Sequence, residues 1–299
     1  MMKKIQHLIE YASLRGFAAF ARLFPLPAAR FFARSLADLV YYFIPIRKKV
    51  VLANLTAAFG SAKKPEEIRS IARGVYRQFA QSMIEIMFFP KIDKEALDEL
   101  VSFENLRLLE GPFKEGKGAV LVGSHFCNWE LMAAALAGHY PLTLVVGQQK
   151  NTLVDDLLNS YRLKMGVKIV PLKLSLRGVA RALKANEFVA LVSDQDAHED
   201  GVFVDFFGRP ASTPKGAAVF ALRFGCPLIM GHIFRTGGRF RIVFDIVPKP
   251  DGSADEQENI RRYTAAYTKI LEGYIRKYPD HWFWMHKRWK TKPPPELDK

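Results

Sequence analysis

The sequence predicts an α/β protein, a largely parallel central sheet flanked by helices, preceded by a helical amphipathic N-terminal extension. Three observations predict it. Residues 1–90 carry helical periodicity wherever a pattern is visible. From Gly118 onward, short apolar runs alternate with helical patterns, the texture of β-α units that build a parallel sheet. The composition, 299 residues with 49% hydrophobic and 25% charged, is that of a globular chain and excludes a disordered tail, a collagen-like fibre or a small disulfide scaffold.

In chain order, two amphipathic helices are expected near 5–22 and 28–44, divided by Pro25 and Pro27. Residues 1–50 hold nine basic side chains against two acidic ones, half of the whole chain's formal charge of +14. Arg15, Arg22, Arg30 and Arg34 interrupt the apolar runs, which argues against a secretory signal and against a span of about 20 apolar residues. The expected arrangement is a pair of helices lying in a membrane interface, where each cation near anionic headgroups contributes about 1 kcal/mol. The plainer alternative is two helices packed on a soluble core.

A third helix should end at Gly60. Pro65-Glu66-Glu67 opens a fourth, since proline is tolerated and acids are favoured in the first turn. Ile68, Ile71, Val75, Phe79, Met83 and Ile86 then recur at spacings of three and four. Strands are expected at 118–122, 142–146, 167–170, 188–192, 227–233 and 239–247, and helices at 128–138, 151–164, 175–185, 214–224 and 256–277. No linker divides the chain, so 1–90 reads as a membrane-associating region and 91–299 as the α/β region of one continuous unit. Cys127 and Cys226 are too few for a disulfide framework and fit a reducing cytoplasm.

The first strand runs into Gly123-Ser-His-Phe-Cys-Asn-Trp-Glu130. Ligands bind beyond the carboxyl ends of strands in open α/β sheets, so His125 stands where a catalytic group belongs. On one continuous helix His125 and Glu130 would diverge by about 140°. With Asn128 as N-cap, His125 lies in the loop and Glu130 in the first turn, and the carboxylate can reach an imidazole N–H. That pair suits a general base acting on a hydroxyl. The plainer alternative is a strand-end histidine and an acid that favours the helix dipole. Ser124 lacks a G-x-S-x-G elbow, and Cys127 reads as a buried apolar cysteine. No metal-ligand spacing, Walker A motif or G-x-G-x-x-G appears, so neither metal nor cofactor is expected.

Four regions carry a resemblance: Pro25-Leu-Pro with Ile46–Leu55; the 123–130 motif; Ser193-Asp-Gln-Asp196 with 201–216; and Tyr278–Lys290 with its tryptophans. Together they resemble the lipid A biosynthesis acyltransferases, the late lauroyl/myristoyl enzymes of the wider lysophospholipid acyltransferase group with its H-x4-D/E motif. The resemblance implies an acyl-acyl carrier protein donor, a phosphorylated glycolipid hydroxyl as acceptor, and work at the cytoplasmic face of the inner membrane. It implies His125 as base, Glu130 as its orienting partner, and functional roles for Arg162 and Asp194. Many members have a transmembrane first helix, which this chain does not clearly show, so the mode of anchoring stays open.

Arg162 would hold an oxyanion or an acceptor phosphate. Asp194 and Asp196, at a strand's carboxyl end, would organise Arg162 or the headgroup, or else form a hydrogen-bonded turn. Arg209 and Lys215 would meet phosphate, or be solvated loop charges. The tryptophans would sit at an interface or pack the C-terminus, packing being favoured. Rival readings are an acyltransferase for another glycolipid such as a phosphatidylinositol mannoside, a thioesterase using the same dyad with water, and a basic binding module. No nucleic-acid motif supports the last, and no nucleic-acid partner is expected.

Overall fold

A computed structural model describes residues 2–44 and 46–295. Four helices come first: α1 (Met2–Ala21), α2 (Leu26–Phe43), α3 (Lys48–Phe59) and α4 (Pro65–Phe88). Helix α2 lies on α4 through a stripe of small residues, Ala29, Ala33 and Ala37, ending in Tyr41, all buried. Its outward side presents Phe31, Phe32, Leu36, Leu39 and Phe43, each at least 48% exposed. A helix of an ordinary soluble domain does the reverse, burying phenylalanine and exposing alanine. Asp38 fastens the pair by accepting from Arg73 and Arg77 of α4 at 2.6–2.7 Å, and those guanidinium groups hold its carboxyl well below the usual range.

The α/β region follows: α5 (Lys94–Leu100), β1 (Val101–Glu104), α6 (Arg107–Lys114), β2 (Ala119–Gly123), α7 (Trp129–Ala137), β3 (Leu142–Val146), α8 (Thr152–Lys164), β4 (Lys168–Pro171), α9 (Ser175–Lys184) and β5 (Phe188–Val192). Next come β6 (Val202–Asp205), β7 (Pro210–Thr213), α10 (Gly216–Phe224), β8 (Leu228–Thr236), β9 (Arg239–Ile246) and α11 (Glu256–Lys277). The main sheet has seven strands in the order β1-β9-β8-β2-β5-β3-β4, and only the β8–β9 pair is antiparallel. Strands β6 and β7 form a separate antiparallel ribbon against α11.

Strand β2 sits at the centre with all five residues buried, as an apolar strand covered on both faces should. It is entered through Gly118 at φ +58°, where a Cβ would lie 2.4 Å from the Glu187 carbonyl oxygen, so only glycine fits. The register Gly123↔Val192 brings the carboxyl ends of β2 and β5 level.

Two features lie outside the sequence expectation. Residues 94–114, for which no element was expected, form α5, β1 and α6, and 201–216 hold the β6–β7 ribbon. Strand β1 is four residues long with no clean alternation, and its partner β9 lies far along the chain, so no local pattern marks it. One apolar cluster joins Tyr41, Leu55, Phe59 and Val75 to Val120, Phe188, Ile229 and Trp284.

Candidate active site

The loop between β2 and α7 turns tightly. Phe126 N–H donates to the Ser124 carbonyl at 2.7 Å, and Cys127 takes a left-handed φ of +50°. Asn128 caps α7 as the sequence suggests, its Oδ1 accepting from Leu131 N–H at 3.0 Å. His125 therefore stands above the end of β2, on the wall of a cleft of about 580 Å³ whose lining includes Trp129, Glu130, Arg162, Leu172, Ser193 and Lys215.

The partner on its ring is Asp194. Nδ1 of His125 lies 2.7 Å from Asp194 Oδ1, and the His125 backbone N–H donates to Oδ2 at 2.9 Å. Trp282 donates its indole N–H to the same Oδ2 at 2.7 Å. An ionised carboxylate only accepts, so Nδ1 carries the proton and Nε2 is left as the basic nitrogen. Burial opposes protonation of His125, but the charge and hydrogen bond of Asp194, with the charge of Glu130, outweigh it and raise the pKa above the ordinary histidine value. Burial likewise pushes Asp194 up, and His125 and Trp282 bring it below the usual carboxylate range.

Glu130 does not orient His125 by hydrogen bonding, contrary to the sequence expectation. In the first turn of α7 its carboxylate faces α8, where Arg162 grips it with two donors, Nε to Oε2 at 2.9 Å and Nη2 to Oε1 at 2.5 Å. Asn159 Oδ1 accepts from Arg162 Nη1 at 2.7 Å. Burial opposes the charge on Arg162 and Glu130 outweighs it, raising its pKa. Three of the five guanidinium N–H groups are thus engaged, which leaves two for a ligand.

The remaining expected residues divide. Asp194 is bonded to His125 and not to Arg162, which pairs with Glu130. Asp196 is buried below the cleft and ties down the C-terminal segment, accepting from Thr291 Oγ1 at 2.8 Å, while its own N–H donates to His286 Nε2. Lys215 is exposed on the cleft wall, whereas Arg209 is exposed on the β6–β7 turn, away from it. Trp282 and Trp284 are 1% and 0% exposed, and Arg288 is buried on the Ser212 carbonyl and Thr213 Oγ1, so these residues pack and do not form an interfacial surface. Burial lowers the Arg288 pKa to about 10. Cys127 and Cys226 are free and buried, and burial pushes the Cys127 thiol up to about 12.

The sequence reading missed Trp282 as a donor to Asp194, and Trp129, whose ring meets His125 edge-on with centroids 4.8 Å apart. For the His125–Asp194 pair a signal existed: each residue lies two positions beyond the end of an apolar strand run, and neighbouring parallel strands bring such positions together.

Residues 2–291 match the family described as bacterial lipid A biosynthesis acyltransferase. The chain belongs to that family. It is similar to the lipid A biosynthesis palmitoleoyltransferase of Escherichia coli K12, 23% identical over 90% of this chain and 87% of that protein. The lauroyltransferase of lipid A biosynthesis from the same strain is 26% identical over 90% of this chain and 87% of its own length. A phosphatidylinositol mannoside acyltransferase of Mycolicibacterium smegmatis is 26% identical over 79% of this chain and 77% of that protein. As a lipid A acyltransferase family member, the chain has an acyl-transfer site to house. The 123–130 loop places His125 above the central strand, on the wall of the cleft.

Proposed function

We propose that this acyltransferase moves a fatty acyl chain from acyl-acyl carrier protein to a hydroxyl of a phosphorylated glycolipid, with His125 as general base. The observation that carries the reading is an imidazole whose Nδ1 is held by the buried Asp194 on the wall of an open cleft. Nε2 of His125 takes the hydroxyl proton as the oxygen attacks the thioester carbonyl. The tetrahedral intermediate collapses by breaking the C–S bond, and the imidazolium returns the proton to the departing thiolate. Asp194 holds the tautomer and stabilises the imidazolium. Arg162, kept charged and aimed by Glu130, supplies its two free N–H groups to the oxyanion or an acceptor phosphate. An oxyanion donor of this kind is worth about 3–4 kcal/mol.

The surplus cations and the outward phenylalanines of α2 support work at the cytoplasmic face of the inner membrane. No helix among the described residues is long and apolar enough to cross a membrane. A second acceptor, a phosphatidylinositol mannoside, is favoured by the relative from M. smegmatis. The test is incubation with acyl-carrier-protein thioesters of several lengths and a panel of lipid A precursors and phosphatidylinositol mannosides, read by mass spectrometry. Acylated glycolipid is expected with the wild type and none with His125→Ala. Free fatty acid alone means a thioesterase, and near-wild-type transfer by His125→Ala removes the base assignment.

A further inference from the structure

We propose that Glu85, which lies outside the cleft, is a positioning residue that fixes the His125 loop through Asn128. The inference rests on His125 being the base. Glu85 lies in the last turn of α4 and is 1% exposed. Oε1 accepts from Arg30 Nε of α2 at 2.6 Å, and the Arg235 guanidinium of β8 spans both oxygens. Oε2 also accepts from Asn128 Nδ2 at 2.8 Å. Well-packed apolar residues often replace such buried ion clusters at no loss of stability, so stability alone is a weak reason for this one.

Asn128 supplies a stronger reason. Its amide has an accepting end and a donating end, and the two are nearly alike in shape. Oδ1 must face Leu131 N–H to cap α7. Glu85 accepts and never donates, so it admits only Nδ2 and sets the amide the right way round. One turn earlier on α4, Ser82 Oγ donates to the Cys127 carbonyl at 3.0 Å, and Cys127 N–H donates to the His281 carbonyl at 2.7 Å. Helix α4 and the C-terminal segment thereby grip a loop whose Cys127 sits in a left-handed conformation. His125 is three residues from Asn128, and its bond to Asp194 tolerates only a few tenths of an ångström of drift.

The test uses the full chain with lauroyl-acyl carrier protein and a lipid A precursor, together with NMR titration of the His125 imidazole. Asn128→Ser keeps a good N-cap and removes the donor to Glu85. We expect kcat to fall about tenfold or more with KM for the acceptor unchanged. As His125 loosens from Asp194, its titration midpoint should drop by about half a unit or more. Glu85→Gln should do the same. If Glu85→Gln does not fold, Asn128→Ser decides. An Asn128→Ser protein within twofold of wild type with an unmoved titration overturns the proposal. Absent turnover in the wild type would count against the function above, while the imidazole titration would still decide the role of Glu85.

Discussion

For His125 to act as the proposed base its resting state has to be the neutral ring, and its neighbours work against that. Asp194 and Glu130 hold the pKa above the ordinary 6.5, so the neutral fraction grows as pH rises through a midpoint above that value. Turnover should rise over the same interval. Asp194→Asn removes the nearer charge, so the rising limb of kcat/KM against pH should shift to lower pH. The plateau should fall by about a hundredfold or more, because the tautomer is no longer enforced. An unshifted limb with an unchanged plateau would detach Asp194 from the mechanism. His125 was legible as a candidate from a glycine-bounded apolar strand followed by a histidine. Its hydrogen-bond partner, 69 residues away, was marked only by standing at the same offset beyond another strand run. Only the pairing of β2 with β5 places the two strand ends side by side. The nearer acid, Glu130, had the right residue type and offset, but Arg162, reaching across from α8, claims it.

At the scale of elements, α2 runs against the usual order of burial, with an alanine stripe inside and phenylalanines outside, as does α1, which buries Ala18 and Ala21 and exposes Phe17 and Phe20. Fully burying one such phenylalanine is worth about 1.5–3 kcal/mol. The variant Phe31→Ser/Phe32→Ser/Leu36→Ser should therefore lose at least about tenfold in partition onto anionic vesicles at fixed salt. Flotation measures this, and circular dichroism should remain that of the wild type because the α4-facing side is untouched. Unchanged flotation would return α2 to the role of a plain surface helix. The long elements were legible: α11 follows its expected 256–277, and β3 and β5 follow 142–146 and 188–192. Strands β1, β6 and β7 were not expected; they have four residues each, as does the expected β4, so length alone does not hide them, and it is their pairing that defines them.

Across the whole molecule, the C-terminal segment joins the two regions that the sequence distinguishes. Trp284 is fully buried, donates its indole N–H to the Pro279 carbonyl at 2.7 Å, and packs on Phe59 of α3 and Phe207 beyond β6. Asn54 of α3 donates to the Trp284 carbonyl at 2.9 Å from the other side. Trp284→Ala should cost about 3–5 kcal/mol, read as a lower urea midpoint. A loss below about 1 kcal/mol would mean that the N-terminal helices are attached by some other contact.

With the proposed thioester donor, a thiolate of the enzyme itself would compete for the acyl group by exchange. Cys127 stands two residues from His125, the proposed base. Its sulfur is enclosed and, with a pKa of about 12, almost wholly protonated at neutral pH, and Cys226 is enclosed as well. On that proposal neither thiol would serve as a resting place for the fatty chain.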